Sequence, residues 1–85
     1  MNFGYALEIL KHGGFVAREG WNGKGMFLVL IHPDEWKLSD ISAKKLVGER
    51  HLPWIGMRTA DAHFVPWVPS QTDILQTDWV EVYRN

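Results

Sequence analysis

The sequence predicts an α+β fold, in which an N-terminal helix packs on an antiparallel sheet of about five strands. A short C-terminal helix is predicted just before the last strand. Apolar residues near the N-terminus recur at helical spacing, whereas the rest of the chain consists of short apolar or alternating runs separated by Gly, Pro and Asn. The chain has 85 residues, so we expect a single domain, 1–85.

The first predicted element is a helix capped by Asn2 and stopped by Gly13-Gly14. Its apolar positions follow the i, i+3, i+4, i+7 pattern of one helix face, and they are Phe3, Ala6, Leu7 and Leu10. Lys11 and His12 complement the negative end of the helix dipole.

A hairpin follows, with strands at Phe15–Arg18 and Met26–Ile31 and a turn at Asn22-Gly23. The second of these strands is apolar at every position, which is typical of a strand covered on both faces. Because one helix covers only one face, we expect a second copy of the chain to cover the other. Residues 33–53 are interpreted as an insertion, with a short helix that begins at Ser39 or Asp40 and ends at Gly48.

A second hairpin is predicted from Trp54–Thr59 and His63–Trp67, turning at Ala60-Asp61-Ala62. Pro66 cannot donate a backbone hydrogen bond, so its strand should lie at an edge of the sheet. The residues Ser70-Gln71-Thr72-Asp73 have the spacing of a capping box and predict the short helix. Trp79–Tyr83 alternates and predicts the last strand.

Composition excludes several function classes. The net charge is −1 and the pI is about 6.4, which gives no basic face for duplex nucleic acid. No apolar run reaches the roughly 18 residues of a membrane span, so we expect no membrane partner and a cytoplasmic location. Cysteine is absent and the four histidines lack metal-ligand spacing, so we expect no metal and no cofactor.

Nothing in the sequence predicts catalysis. Gly23-Lys24-Gly25 lacks the spacing of a phosphate-binding P-loop. Ser70, Asp73 and His63 could form a triad, but a helix cap already explains the first two. We therefore predict that the protein is not an enzyme.

The glycine-rich loop after the first strand favours ligand binding instead. Trp21 offers an aromatic face for a base, and Arg18, Lys24 and Arg58 offer cations for phosphate. Like Trp21, three further tryptophans stand at strand ends or beside turns, where rings can be half exposed: Trp54, Trp67 and Trp79. For about half of these tryptophans we expect ordinary core packing instead. The alternative is a tight hairpin whose tryptophan packs on its own core.

Several motifs together resemble the second Thoeris anti-defence family of phage signal-sponge proteins. They span residues 3–31 and 54–82 and comprise Ala6-Leu7-Glu8, Val16 to Phe27, Met57-Arg58-Thr59-Ala60-Asp61, Val65-Pro66-Trp67, Ser70-Gln71-Thr72-Asp73 and Asp78-Trp79. Ala62 departs from this family, since relatives often have glycine there, and so the turn geometry is expected to differ. Residues 33–53 match no family pattern.

The resemblance implies a homotetramer in the host cell cytoplasm. It would capture, without cleavage, the cyclic ADP-ribose isomer that bacterial TIR-domain defence enzymes make. Some family members also hold cyclic dinucleotides in a separate pocket. Motif position gives the expected pocket residues: Trp21, Asn22, Lys24, Trp67, Ser70, Gln71 and Asp73, with Arg18 as a further phosphate partner. The alternatives are an enzyme that degrades the same signal, and a protein–protein adaptor or virion component.

Overall fold

A computed structural model describes residues 1–21, 24–32 and 52–83 of the chain. The described part holds two helices, which are α1 (Phe3–Lys11) and α2 (Gln71–Leu75). It holds five strands, which are β1 (Phe15–Arg18), β2 (Phe27–Ile31), β3 (Trp54–Arg58), β4 (Phe64–Pro66) and β5 (Trp79–Val82). This confirms the α+β class, with a helix, an antiparallel sheet and a short helix before the last strand. The predicted strands run one residue longer at some ends.

The sheet order is β4-β3-β2-β1-β5, and every neighbouring pair is antiparallel. β1 therefore lies between its hairpin partner and the last strand of the chain. Arg18 pairs with Trp79, although the two are far apart in sequence. This pairing brings the glycine-rich loop after β1 next to the segment that leads into β5. Pro66 lies on the edge strand β4, as predicted.

Local signals define the ends of both helices. Asn2 accepts a hydrogen bond from the Tyr5 N–H at 2.9 Å, which caps α1. Gly13 has φ 89° and follows the last turn, where the Gly14 N–H donates to the Ile9 carbonyl at 2.9 Å. Ser70 and Asp73 form both hydrogen bonds of the predicted capping box at the start of α2. No described helix is long and apolar enough to cross a membrane.

The core lies between α1 and one face of the sheet. It consists of side chains with no solvent exposure: Ala6, Leu10, Val16, Leu28 and Trp79. Trp79 has the largest of these side chains. Its ring adopts the alternative of core packing, because α1 and the neighbouring tryptophans cover it. Trp21, Trp54 and Trp67 are half-buried.

The other face of the sheet is also apolar. Strand register and alternation place on it Phe15, Ala17, Phe27, Val29, Ile31, Trp54, Phe64, Val80 and Val82, together with Arg58. Phe27 is only 8% exposed and meets the Phe15 ring edge-on at 5.2 Å. Both described helices lie on the opposite, core-forming face, so β2 has apolar residues on both faces.

The Asn22-Gly23 turn and the short helix expected between Ser39 and Gly48 fall outside the described residues.

Candidate functional site

The predicted site residues converge at the end of β1. The strap is defined here as residues 67–78, which connect β4 to β5 and include α2. Trp21 follows the end of β1, and the β1–β5 pairing holds it against the strap. Contacts in this region join five of the eight predicted site residues: Arg18, Trp21, Trp67, Ser70 and Asp73.

Asp73 is the centre of this cluster. Its Oδ1 accepts hydrogen bonds from Arg18 Nη1 at 2.8 Å and from Trp21 Nε1 at 3.3 Å. Its Oδ2 accepts from the Ser70 hydroxyl at 3.0 Å and from the Ser70 N–H at 3.3 Å. Its backbone carbonyl accepts the Trp79 Nε1–H at 2.9 Å. One residue of a single-turn helix thus connects the loop, the cap and the core.

These bonds hold Asp73 in its charged form. Burial raises the pKa of Asp73, but hydrogen bonds from Arg18, Ser70 and Trp21 outweigh burial, and the net pKa lies below its ordinary value of 3.8. The pKa of Asp78 is also lowered, chiefly by its hydrogen bond from Arg18. Both carboxylates are therefore anionic at neutral pH.

Arg18 is the cation between these two carboxylates. Its side chain is only 13% exposed, and its Nε lies 2.9 Å from Asp78 Oδ1. Hydrogen bonds from the guanidinium to Asp78 and Asp73 raise the pKa of Arg18. The phosphate contact predicted for Arg18 stays a prediction, and it competes with this double ion pair.

Trp21 and Trp67 form the aromatic part of the site. Each ring meets the buried Trp79 ring edge-on, with centroid distances of 5.5 Å for Trp21 and 5.9 Å for Trp67. The Phe3 ring of α1 packs against Trp67 at 5.7 Å and Trp79 at 5.2 Å. Two half-buried tryptophans therefore rest on a rigid aromatic base, which limits the rotation of their side chains.

The three other predicted site residues are Gln71, Lys24 and Asn22, and no described contact joins them to the cluster around Asp73. Gln71 is exposed at the first position of α2, beside Ser70. Lys24 is exposed in the loop before β2, and within the described residues no ion pair joins it to the cluster. Asn22 lies outside the described residues.

The sequence did not identify two residues that contribute to the site, Asp78 and Phe3. Asp78 was quoted only as part of the motif Asp78-Trp79, yet it bonds Arg18 and accepts the Gly20 N–H at 2.9 Å. Phe3 was assigned to the core face of α1, although it also supports Trp67. The pairing of Arg18 with an acid 60 residues away in sequence has no local sequence signal, because it depends on the β1–β5 register.

The cluster supplies hydrogen-bond acceptors and aromatic faces, which suit a ligand with hydroxyl or amino donors and a planar ring. Among the described residues, no group of three or more His, Asp and Glu side chains could hold a metal ion.

Comparisons with known proteins agree with one another. A family model described as "Thoeris anti-defense 2-like domain" matches residues 1–82. A curated protein named "Thoeris anti-defense 2", from Bacillus phage SP01, is 47% identical to the chain over 87 residues. That alignment covers 93% of this chain and 91% of the phage protein.

Proposed function

Because the chain belongs to the Thoeris anti-defense 2-like family, we propose that it inhibits Thoeris-type immunity by sequestering a nucleotide-derived signal inside the host cell. The signal is a cyclic ADP-ribose isomer, and cyclic dinucleotides are a second possible class of ligand. It is held intact rather than cleaved, so the downstream effector is deprived of it.

The observation that carries this proposal is the pair of half-buried tryptophans beside Asp73. A base that stacks on one tryptophan ring gains about 1–3 kcal/mol. We propose that Asp73, Ser70 and Gln71 bind ribose hydroxyls and the adenine amino group. Lys24 is assigned to the phosphate end of the ligand, and Asn22 to a ribose hydroxyl or an adenine edge.

Capture without cleavage is supported by the charges of the cluster. A general acid or base works best when its pKa lies near the operating pH, whereas the pKa values of Asp73 and Asp78 are shifted downward, away from neutrality. His63 contacts Asp61 at 3.0 Å on an exposed turn, away from the tryptophans. We therefore propose a binding protein and not an enzyme.

A homotetramer is part of the proposal. The apolar sheet face that carries Val29 and Phe27 gives a second copy a surface to pack against. A small chain encloses little volume by itself, so pockets between subunits would make the capture site deeper.

The test is a calorimetric titration of the protein with cyclic ADP-ribose isomers and cyclic dinucleotides, followed by heat denaturation and mass analysis of the recovered ligand. We expect tight binding and unchanged ligand mass. Trp21→Ala should abolish binding while the oligomer, measured by sedimentation, stays folded. Tyr83→Ala removes an exposed aromatic that contacts only Glu81 among the described residues, and is the matched control.

Other outcomes would favour the alternatives. A ligand recovered with altered mass would establish an enzyme that degrades the signal. Absence of binding, together with a stable complex with another protein, would establish the adaptor or virion component.

A further inference from the structure

Asp78 connects the start of the glycine-rich loop to the strap. Its Oδ1 accepts a hydrogen bond from Arg18 Nε at 2.9 Å, and its Oδ2 accepts from Arg18 Nη2 at 3.4 Å. The same Oδ2 accepts the Gly20 N–H at 2.9 Å, and the Asp78 carbonyl accepts the Glu19 N–H at 3.0 Å. One aspartate thus binds three consecutive residues of the chain as they leave β1.

The contacts continue from Asp78 to an aromatic ring of the candidate site. Arg18 bridges Asp78 and Asp73, and Asp73 Oδ1 in turn accepts the Trp21 Nε1–H. The Trp21 N–H also donates to the Arg18 carbonyl at 3.3 Å. Both ends of Trp21, its backbone and its indole, therefore depend on the placement of Arg18.

We propose, resting on the proposed function, that Asp78 is a positioning residue for signal capture. It does not contact the signal. It fixes the planar guanidinium of Arg18, which fixes the Asp73 carboxylate and through it the orientation of the Trp21 ring. A ring held in place before binding loses less conformational entropy when a base stacks on it, so the bonds of Asp78 contribute to affinity.

The same geometry favours a positioning role for Arg18 over the predicted phosphate contact. One guanidinium lies between two carboxylates, so the cluster of Arg18, Asp73 and Asp78 carries a net charge of −1 at neutral pH. A phosphate beside it would be repelled, whereas hydroxyl and amino donors would be attracted. The phosphate of a captured signal therefore lies toward Lys24, at the opposite end of the loop.

The first experiment needs no signal molecule. In ¹⁵N-labelled protein, the Trp21 indole N–H resonance, assigned with Trp21→Phe, reports the bond to Asp73. Asp78→Asn keeps the size of the side chain and removes its charge, and it should shift this resonance and speed its exchange with solvent. Glu81→Gln removes a carboxylate three residues away on β5 and should leave the resonance unchanged.

The second experiment measures binding of the cyclic ADP-ribose isomer that wild type retains most tightly. Asp78→Asn should weaken binding about tenfold or more, whereas Glu81→Gln should not. Arg18→Met should weaken binding similarly, and combining it with Asp78→Asn should add little, because both changes break the same chain of contacts. Asp78→Glu retains the charge and should restore part of the affinity, and it replaces Asp78→Asn if that variant does not fold.

An unchanged Trp21 resonance in folded Asp78→Asn, or unchanged affinity, would overturn the positioning role. If wild type binds neither a cyclic ADP-ribose isomer nor a cyclic dinucleotide, the proposed function fails, while the resonance still decides whether Asp78 orients Trp21.

Discussion

Ala62 adopts a backbone conformation that L-residues avoid. Its φ is 67°, in the left-handed region, within the turn between β3 and β4. Relatives were expected to have glycine here, and the departure was expected to change the turn. The alanine adopts a conformation that is typical of glycine, so the turn carries a local energetic cost of roughly 1–2 kcal/mol.

Ala62→Gly should therefore stabilise the protein by about 1 kcal/mol, because glycine adopts positive φ without the Cβ clash. In thermal denaturation this corresponds to an increase in Tm of about 5 °C. Ala60→Gly is the matched control in the same turn. Among the described non-glycine residues only Ala62 has positive φ, so glycine at position 60 should give no gain. Equal stabilisation by both variants would contradict this explanation.

The tryptophans show how far the burial of single side chains could be predicted from the sequence. Their positions at strand ends allowed either a half-exposed or a core-packed ring, and in the structure Trp21 and Trp67 are half-buried whereas Trp79 is fully buried. Alternation in a strand predicts which face a side chain occupies, not whether a helix lies above it. Burial of Trp79 depends on α1, which comes from the other end of the chain.

The hairpin of β3 and β4 is stabilised by an aromatic ring that lies over a glycine. Gly56 is buried, and a Cβ built on it would overlap the Phe64 ring, 2.7 Å from Cε2. The Trp54 ring is 5.9 Å from the same phenylalanine. Phe64 thus covers the strand position that has no side chain, although its own ring is 49% exposed.

Gly56→Ala should destabilise the protein by about 1–3 kcal/mol in urea denaturation, since the added methyl group displaces the ring. The same change made in a Phe64→Ala background should cost much less, because the obstructing ring is absent there. A similar cost in both backgrounds would place the strain in the backbone of β3 and not in the contact with Phe64.

The elements themselves were largely predictable because their signals are local. The Asn2 cap, the Gly13-Gly14 stop and the Ser70–Asp73 capping box each lie within a few residues of the element they define. The site was only partly predictable, because some of its contacts join residues that are far apart in sequence. Trp21 and Asp73 were identified by motif, whereas Asp78 acts through a partner 60 residues away.

At the scale of the whole molecule, three carboxylates make stability depend on pH. The pKa of Asp78 is lowered mainly by its bond from Arg18, that of Asp61 mainly by its bond from Thr59, and that of Asp73 is lowered although burial opposes this. A depressed pKa means that the folded state releases its proton more readily than the unfolded chain. Their stabilisation is therefore complete well above the ordinary value of 3.8, and it is lost as the pH falls below 3.8 and through the depressed pKa values of the folded state.

These three aspartates should leave the urea midpoint nearly constant from pH 7 to about pH 5. Below about pH 4 we expect the midpoint to decrease steeply. Asp78→Asn should lower the midpoint at pH 7 and flatten its decrease in acid, because the variant has one fewer group to protonate. A pH profile parallel to that of wild type would show that Asp78 does not contribute through its charge.

The pairing of β1 with β5 has a consequence for synthesis of the protein. Trp79, which fills the centre of the core, directly follows Asp78, which binds Arg18 from 60 residues away in the chain. During synthesis, α1 and the first two strands are made before the last strand. Their apolar faces therefore lack Trp79, the largest core side chain, until that strand has been made. Closure of the core and assembly of the Arg18 cluster then occur together. A chain that has folded therefore carries an ordered Arg18 cluster, and a chain cut short before Asp78 lacks both the largest core side chain and a carboxylate partner of Arg18.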